Sequence, residues 1–97
     1  MAFARLAFFP HGTPEQHAAL VDEVGEGARS PGGRLFFTAG RAPGGWQTVQ
    51  VWSSFEALEA FDAEVFLPAL DRIGDRGFPD LPHVVDFEAT DLRVTPA

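Results

Sequence analysis

The chain has 97 residues, 45% of them hydrophobic and 22% charged, with ten Phe and a net charge of −7. That is room for one domain with a marginal core, far from the composition of disordered chains. The acidic balance, carried with Arg as the sole strong base and no Lys, excludes the basic clusters that nucleic acids and anionic membranes attract.

Cys, Lys, Tyr and Asn are all absent. Disulfides, thiolate nucleophiles, cysteine-held metals, lysine Schiff bases and the phosphate-binding P-loop are excluded with them. No apolar run is long enough to cross a bilayer, and Met1 to Phe9 lacks a basic start and a cleavage site. A cytoplasmic protein is expected, and the Arg-only, Ala-rich and Gly-rich usage fits a bacterial source.

Ala2 to Phe9 is an apolar run that stops at Pro10-His11-Gly12, which reads as a first strand and a turn. Thr13-Pro14-Glu15-Gln16 then supplies a capping hydroxyl, a proline at the first helical position and a Gln three residues after the cap. A helix starts there. His17, Leu20, Val21, Val24 and Ala28 fall on one face of it, and Gly25 and Gly27 weaken its end. Arg34 to Ala39 reads as a second strand, with Leu35, Phe37 and Ala39 opposing Arg34, Phe36 and Thr38. Trp46 to Trp52 reads as a third, with Trp46, Thr48, Gln50 and Trp52 on one side. The short Gly-rich link between them suits an antiparallel hairpin. Ser53, followed by Glu56, is expected to cap a long second helix that runs to about Ile73 and kinks at Pro68. After a loop from Asp75 to Pro82, the last strand lies within His83 to Val94, where Val85, Phe87 and Ala89 alternate with polar residues.

Residues 1–97 are expected to form one domain. The βαββαβ order with right-handed crossovers predicts an α+β, ferredoxin-like fold, a four-stranded antiparallel sheet with both helices on one face. The strands are apolar on both faces, so two helices leave half of that apolar surface uncovered. A homodimer joined through the bare sheet face, a dimeric α/β barrel, is the expected partner arrangement.

Gly45-Trp46-Gln47-Thr48-Val49-Gln50-Val51-Trp52-Ser53-Ser54-Phe55-Glu56-Ala57-Leu58-Glu59-Ala60-Phe61, followed by Phe66-Leu67-Pro68-Ala69-Leu70, resembles small proteins of the dimeric α/β-barrel superfamily, most closely the antibiotic biosynthesis monooxygenase-like group. The resemblance runs over nearly the whole chain. It implies a cofactor-independent oxygenation, or a cyclisation or isomerisation, of an aromatic or polyketide-like molecule, with Trp52 as a positional match. The same superfamily also holds haem degraders and proteins without assigned activity. Where such enzymes rely on Asn or Tyr, this chain has neither, so those site patterns do not transfer.

The topology itself gathers chemistry. His11, His17 and His83 are expected at one end of the sandwich, with Arg41, Trp46 and Arg72 near the same rim. His17 lies in the apolar stripe near a helix N-terminus, which favours its neutral form and suits a general base; its bland alternative is a hydrogen-bonded core residue. Asp62 falls among Leu58, Val65, Phe66 and Ala69, where an unpaired carboxylate is costly. It is either paired to an Arg or hydrogen-bonded to a strand side chain, or held with a raised pKa for proton transfer. Arg5 is expected to reach a carboxylate at the dimer seam. His17, Asp62 and His83 are thus the catalytic candidates, and Trp46, Trp52, Phe61 and Arg72 the candidates for binding a small apolar or aromatic ligand. The histidine spacing matches no metal motif, so neither metal nor other cofactor is expected. A noncatalytic ligand-binding or dimer-assembly protein is the alternative.

Overall fold

A computed structural model describes residues 1–25 and 32–96. Ala28 and Gly27, placed above on the first helix, lie outside the described residues. The elements run β1 (Ala2–Pro10), α1 (Pro14–Val24), β2 (Arg34–Ala42), β3 (Gly45–Trp52), α2 (Phe55–Phe61), a π turn (Asp62–Phe66), α3 (Leu67–Ile73), a short 3-10 turn (Gly74–Arg76) and β4 (His83–Ala89). The sheet is antiparallel throughout, in the order β2-β3-β1-β4. This is the expected ferredoxin-like βαββαβ arrangement.

Local chemistry explains most boundaries. The capping box at Thr13 is closed on both sides: the Gln16 N–H donates to Thr13 Oγ1 and the Thr13 N–H donates to Gln16 Oε1 at 2.9 Å. At the second helix the cap is Ser54, one residue later than expected, and its hydroxyl accepts from the Ala57 N–H at 3.1 Å. Ser53 instead donates its N–H to the Gly33 carbonyl, which ties the end of β3 to the start of β2. Strand β2 also runs past Ala39 to Ala42, because Pro43-Gly44 makes a two-residue turn in which Gly44 supplies a φ of 85°. Pro68 does disturb the second helix. Its missing N–H and its ring cannot serve the carbonyl four residues back, and the chain widens into a π turn in which the Leu67 N–H reaches the Asp62 carbonyl.

Cross-strand register fixes what faces the helices. Phe3, Arg5, Ala7 and Phe9 of β1 stand opposite Trp52, Gln50, Thr48 and Trp46 of β3, and this shared face carries the helices. Two buried clusters hold the layers together: Ala7, Phe9 and Trp46 at one point, Leu20, Ala69 and Ile73 at another, with Phe66 and Phe78 packed against both. Trp52 and Leu58 are fully buried. The opposite face shows Phe36, Val85 and Phe87 exposed at 42%, 61% and 51%. No helix among the described residues is long and apolar enough to cross a membrane.

Candidate functional site

Between the sheet and the helices lies a cavity of about 430 Å³. Its wall is mostly apolar, as expected where facing layers carry Ala7, Phe9, Leu20 and Phe66, but a few polar side chains enter it: Arg5, His17, Arg34, Thr48, Gln50 and Asp62. A largely apolar pocket with a few convergent polar groups is the usual form of a small-molecule site.

His17 and Asp62 both line this cavity, as does Phe61. His17 comes from the first turn of α1. Its ring lies 5.1 Å from Trp46 and stacks on Phe37 at 6.1 Å. Its Nδ1 is buried with no hydrogen-bond partner among the described residues, and so is Nε1 of Trp46. Burial alone pushes the imidazole below its ordinary pKa, because desolvation penalises the charged ring.

Asp62 has both of the properties weighed for it. It faces the cavity, and its Oδ2 accepts from Arg5 Nη1 at 2.7 Å. The expectation that Arg5 reaches a carboxylate at the dimer seam is corrected: its partners lie on the helix side of the sheet. Its odd register on β1 turns it toward the helices, where it also donates Nε and Nη2 to the two oxygens of Asp86. Burial pushes the Asp62 carboxyl above the usual aspartate value and outweighs the downward pull of Arg5, a cation shared with a second carboxylate that itself adds to the rise. Arg5 is raised in turn, first by its hydrogen bonds with Asp86.

The other candidates stand elsewhere. Trp46 and Trp52 are buried behind the wall; the Trp52 indole donates to Gln50 Oε1 at 2.8 Å and packs on Phe61 at 5.2 Å. The three histidines share one end of the sheet, as expected, but not one site, since each takes a different face. His83 stands opposite Phe8 and turns to the bare sheet face, because the pairing that aligns Asp86 with Arg5 sends every odd residue of β4 outward. His11 sits exposed in the turn after β1. Arg72 is exposed on α3 and donates Nε to Glu23 Oε2 at 3.1 Å, away from the cavity. No three His, Cys, Asp or Glu among the described residues come together as a metal site.

Sequence reasoning missed Arg34, Phe37, Thr48 and Gln50 as wall residues. The last two were legible, since they share a strand face with Trp46 and Trp52. Arg34 was not, because simple alternation sets it opposite Phe37. A register shift between Arg34 and Phe36 places both on the cavity side.

No protein-family model matches the chain, and no curated protein matches it in sequence. Solved structures do match over nearly their full length. A candidate antibiotic biosynthesis monooxygenase from Chloroflexus aurantiacus J-10-fl is 20% identical, with 97% of this chain and 98% of that one covered and a TM-score of 0.70. Rv0793 from Mycobacterium tuberculosis is 19% identical, with 97% and 100% covered and a TM-score of 0.71. A variant of SnoaB, a cofactor-independent oxygenase from Streptomyces nogalater, is 22% identical, with 94% of each chain covered and a TM-score of 0.62. The chain therefore carries the fold of antibiotic biosynthesis monooxygenase-like structures.

Proposed function

We propose that this chain is a small homodimeric enzyme that binds an aromatic or polyketide-like molecule in the cavity between helices and sheet and removes a proton from it without a bound cofactor. The observation that carries the reading is His17: an imidazole on the wall of an apolar cavity, its pKa lowered by burial and its Nδ1 without a hydrogen-bond partner among the described residues. A neutral imidazole near neutral pH is the form a general base needs. In this reading His17, rather than the outward-facing His83, takes a proton from a carbon made acidic by a carbonyl conjugated with it. Asp62, fixed by Arg5, orients the ligand, and Phe61 with the tryptophans behind the wall shapes an aromatic slot. The resulting carbanion either adds O2, giving a hydroperoxide that loses water to leave a ketone, or attacks a carbonyl within the same molecule. The SnoaB likeness supports the first course.

The homodimer belongs to the same reading. Its support is the bare sheet face, where Phe36, Val85 and Phe87 lie open in the single chain.

The test uses a hydroxyanthrone. In D2O under nitrogen the wild-type protein is expected to catalyse exchange of its benzylic hydrogens, and in air to form the quinone. His17→Ala is expected to slow both by about 100-fold. An aromatic that binds but exchanges at the background rate would instead favour the noncatalytic ligand-binding alternative, which the Arg5–Asp62 pair also suits.

A further inference from the structure

Proton abstraction by His17 would leave negative charge on the ligand's carbonyl oxygen, and an apolar wall must meet that oxygen with a donor. Arg5 is committed through all three of its side-chain nitrogens, Nη1 to Asp62 and Nε and Nη2 to Asp86. Thr48 is buried and turns its hydroxyl back to the Ala7 carbonyl at 3.4 Å. Gln50, on the same wall, gives its amide N–H groups to no partner among the described residues.

The Trp52 indole orients that amide. Trp52 is fully buried, and its Nε1–H donates to Gln50 Oε1 at 2.8 Å. An indole N–H is a donor only, so the amide oxygen must face it and the NH2 group turns the other way. Register sets the neighbours. Gln50 stands opposite Arg5 of β1 and opposite Phe37 of β2, on the helix side of the sheet. Phe37 in turn stacks on His17, with ring centres 6.1 Å apart. A ligand lying against Phe37 therefore has the imidazole and the oriented amide beside it.

On the reading of this cavity as a proton-abstraction site, we propose that Gln50 is a further catalytic residue whose NH2 group donates to the ligand's carbonyl oxygen, with Trp52 as the positioning residue that aims it. The ligand's C–H bond breaks, its proton passes to the imidazole, and the electron pair spreads through the conjugated system onto that oxygen. A donor aimed in advance gains strength as the charge grows and needs no reorientation at the moment of reaction. The ligand class narrows to conjugated ketones, since an aromatic without a carbonyl gains the stacking alone.

The test follows exchange of the benzylic hydrogens of 2-hydroxyanthrone, whose hydroxyl stands away from the carbonyl, in D2O under nitrogen. Gln50→Glu is the decisive variant: a carboxylate fills the same space and still accepts from Trp52, but offers an oxygen where the NH2 group stood. It is expected to lower kcat about 100-fold while KM changes less than about threefold, and Gln50→Met, which introduces no charge, to do the same. The infrared carbonyl stretch of the bound ligand is expected at lower frequency in wild type than in either variant, because the N–H weakens that bond. The proposal is overturned if either folded variant keeps the wild-type kcat, or if the stretch is the same in all three proteins. In those cases exchange by wild type leaves the His17 reading standing; no exchange by wild type sinks both.

Discussion

Arg5 and Asp62 meet at 2.7 Å across the gap between the first strand and the π turn, 57 residues apart in sequence. Asp86 takes the other side of the same guanidinium through two bonds of 2.8 Å, so one cation serves two carboxylates. Removing the cation leaves two like charges face to face. Removing the Asp62 charge leaves Arg5 with a bidentate partner. Arg5→Met is therefore expected to cost about 2–3 kcal/mol and Asp62→Asn about 1 kcal/mol, values held down by the partial exposure of these side chains. Urea unfolding of the two variants checks the order, and equal losses would show that Asp86 contributes little.

His17 gives a pH dependence with a definite sign. Its folded-state pKa lies below the ordinary value of 6.5, so just below that pH the unfolded chain binds more protons than the folded one. Stability contributed by the neutral ring is complete above the unfolded value and is lost as pH falls toward the folded one. Asp62 acts oppositely: its carboxyl is raised from 3.8, so between that value and the folded one stability falls as pH rises. Acidification from pH 7 to 5 is expected to lower the urea midpoint of wild type more than that of His17→Gln. Parallel profiles would place the imidazole in a solvated setting.

Gly45 is the residue on which the position of Trp46 depends. It pairs with Pro10 at the end of β1, and a Cβ there would overlap the Phe9 carbonyl oxygen. Gly45→Ala is expected to cost about 2 kcal/mol or more and to alter the near-ultraviolet tryptophan signal, since the strand must part from β1 to admit the methyl group. An unchanged melting temperature and spectrum would show that the two strand ends are loosely joined.

The bare sheet face predicts an assembly that sediments as a dimer at micromolar concentration. Phe87→Glu places a charge on that face at the edge strand β4, where the ring is 51% exposed in the single chain, and is expected to yield a folded monomer. A wild-type monomer whose strands meet water would remove the barrel reading.

Much of this architecture can be read from residue order because the signals are local. Thr13 and Gln16 close their capping box within one turn, and Trp46, Thr48, Gln50 and Trp52 keep the period of a strand through to the cavity wall. What escaped depends on partners distant in sequence. The outward turn of His83 follows from the alignment of Asp86 with Arg5, 81 residues away, and no property of β4 alone sets it. The choice of Ser54 over Ser53 as cap follows from the bond that Ser53 gives to Gly33. Pro68 announces a disturbed helix, but whether that becomes a kink or a π turn is decided by what the neighbouring carbonyls can reach.

The irregularity in β2 has a bearing on how this scaffold changes over evolutionary time. β2 is an edge strand, bonded to a neighbour on one side alone, so an insertion or deletion there disturbs a single ladder. Loss of one residue beside Leu35 would remove the bulge and leave Arg34 two places from Phe37, so that both would keep the helix side of the sheet in a regular strand. The inner face of this margin thus tolerates a change of one residue, and related sequences one position shorter there are expected to keep their arginine in line with the aromatic wall.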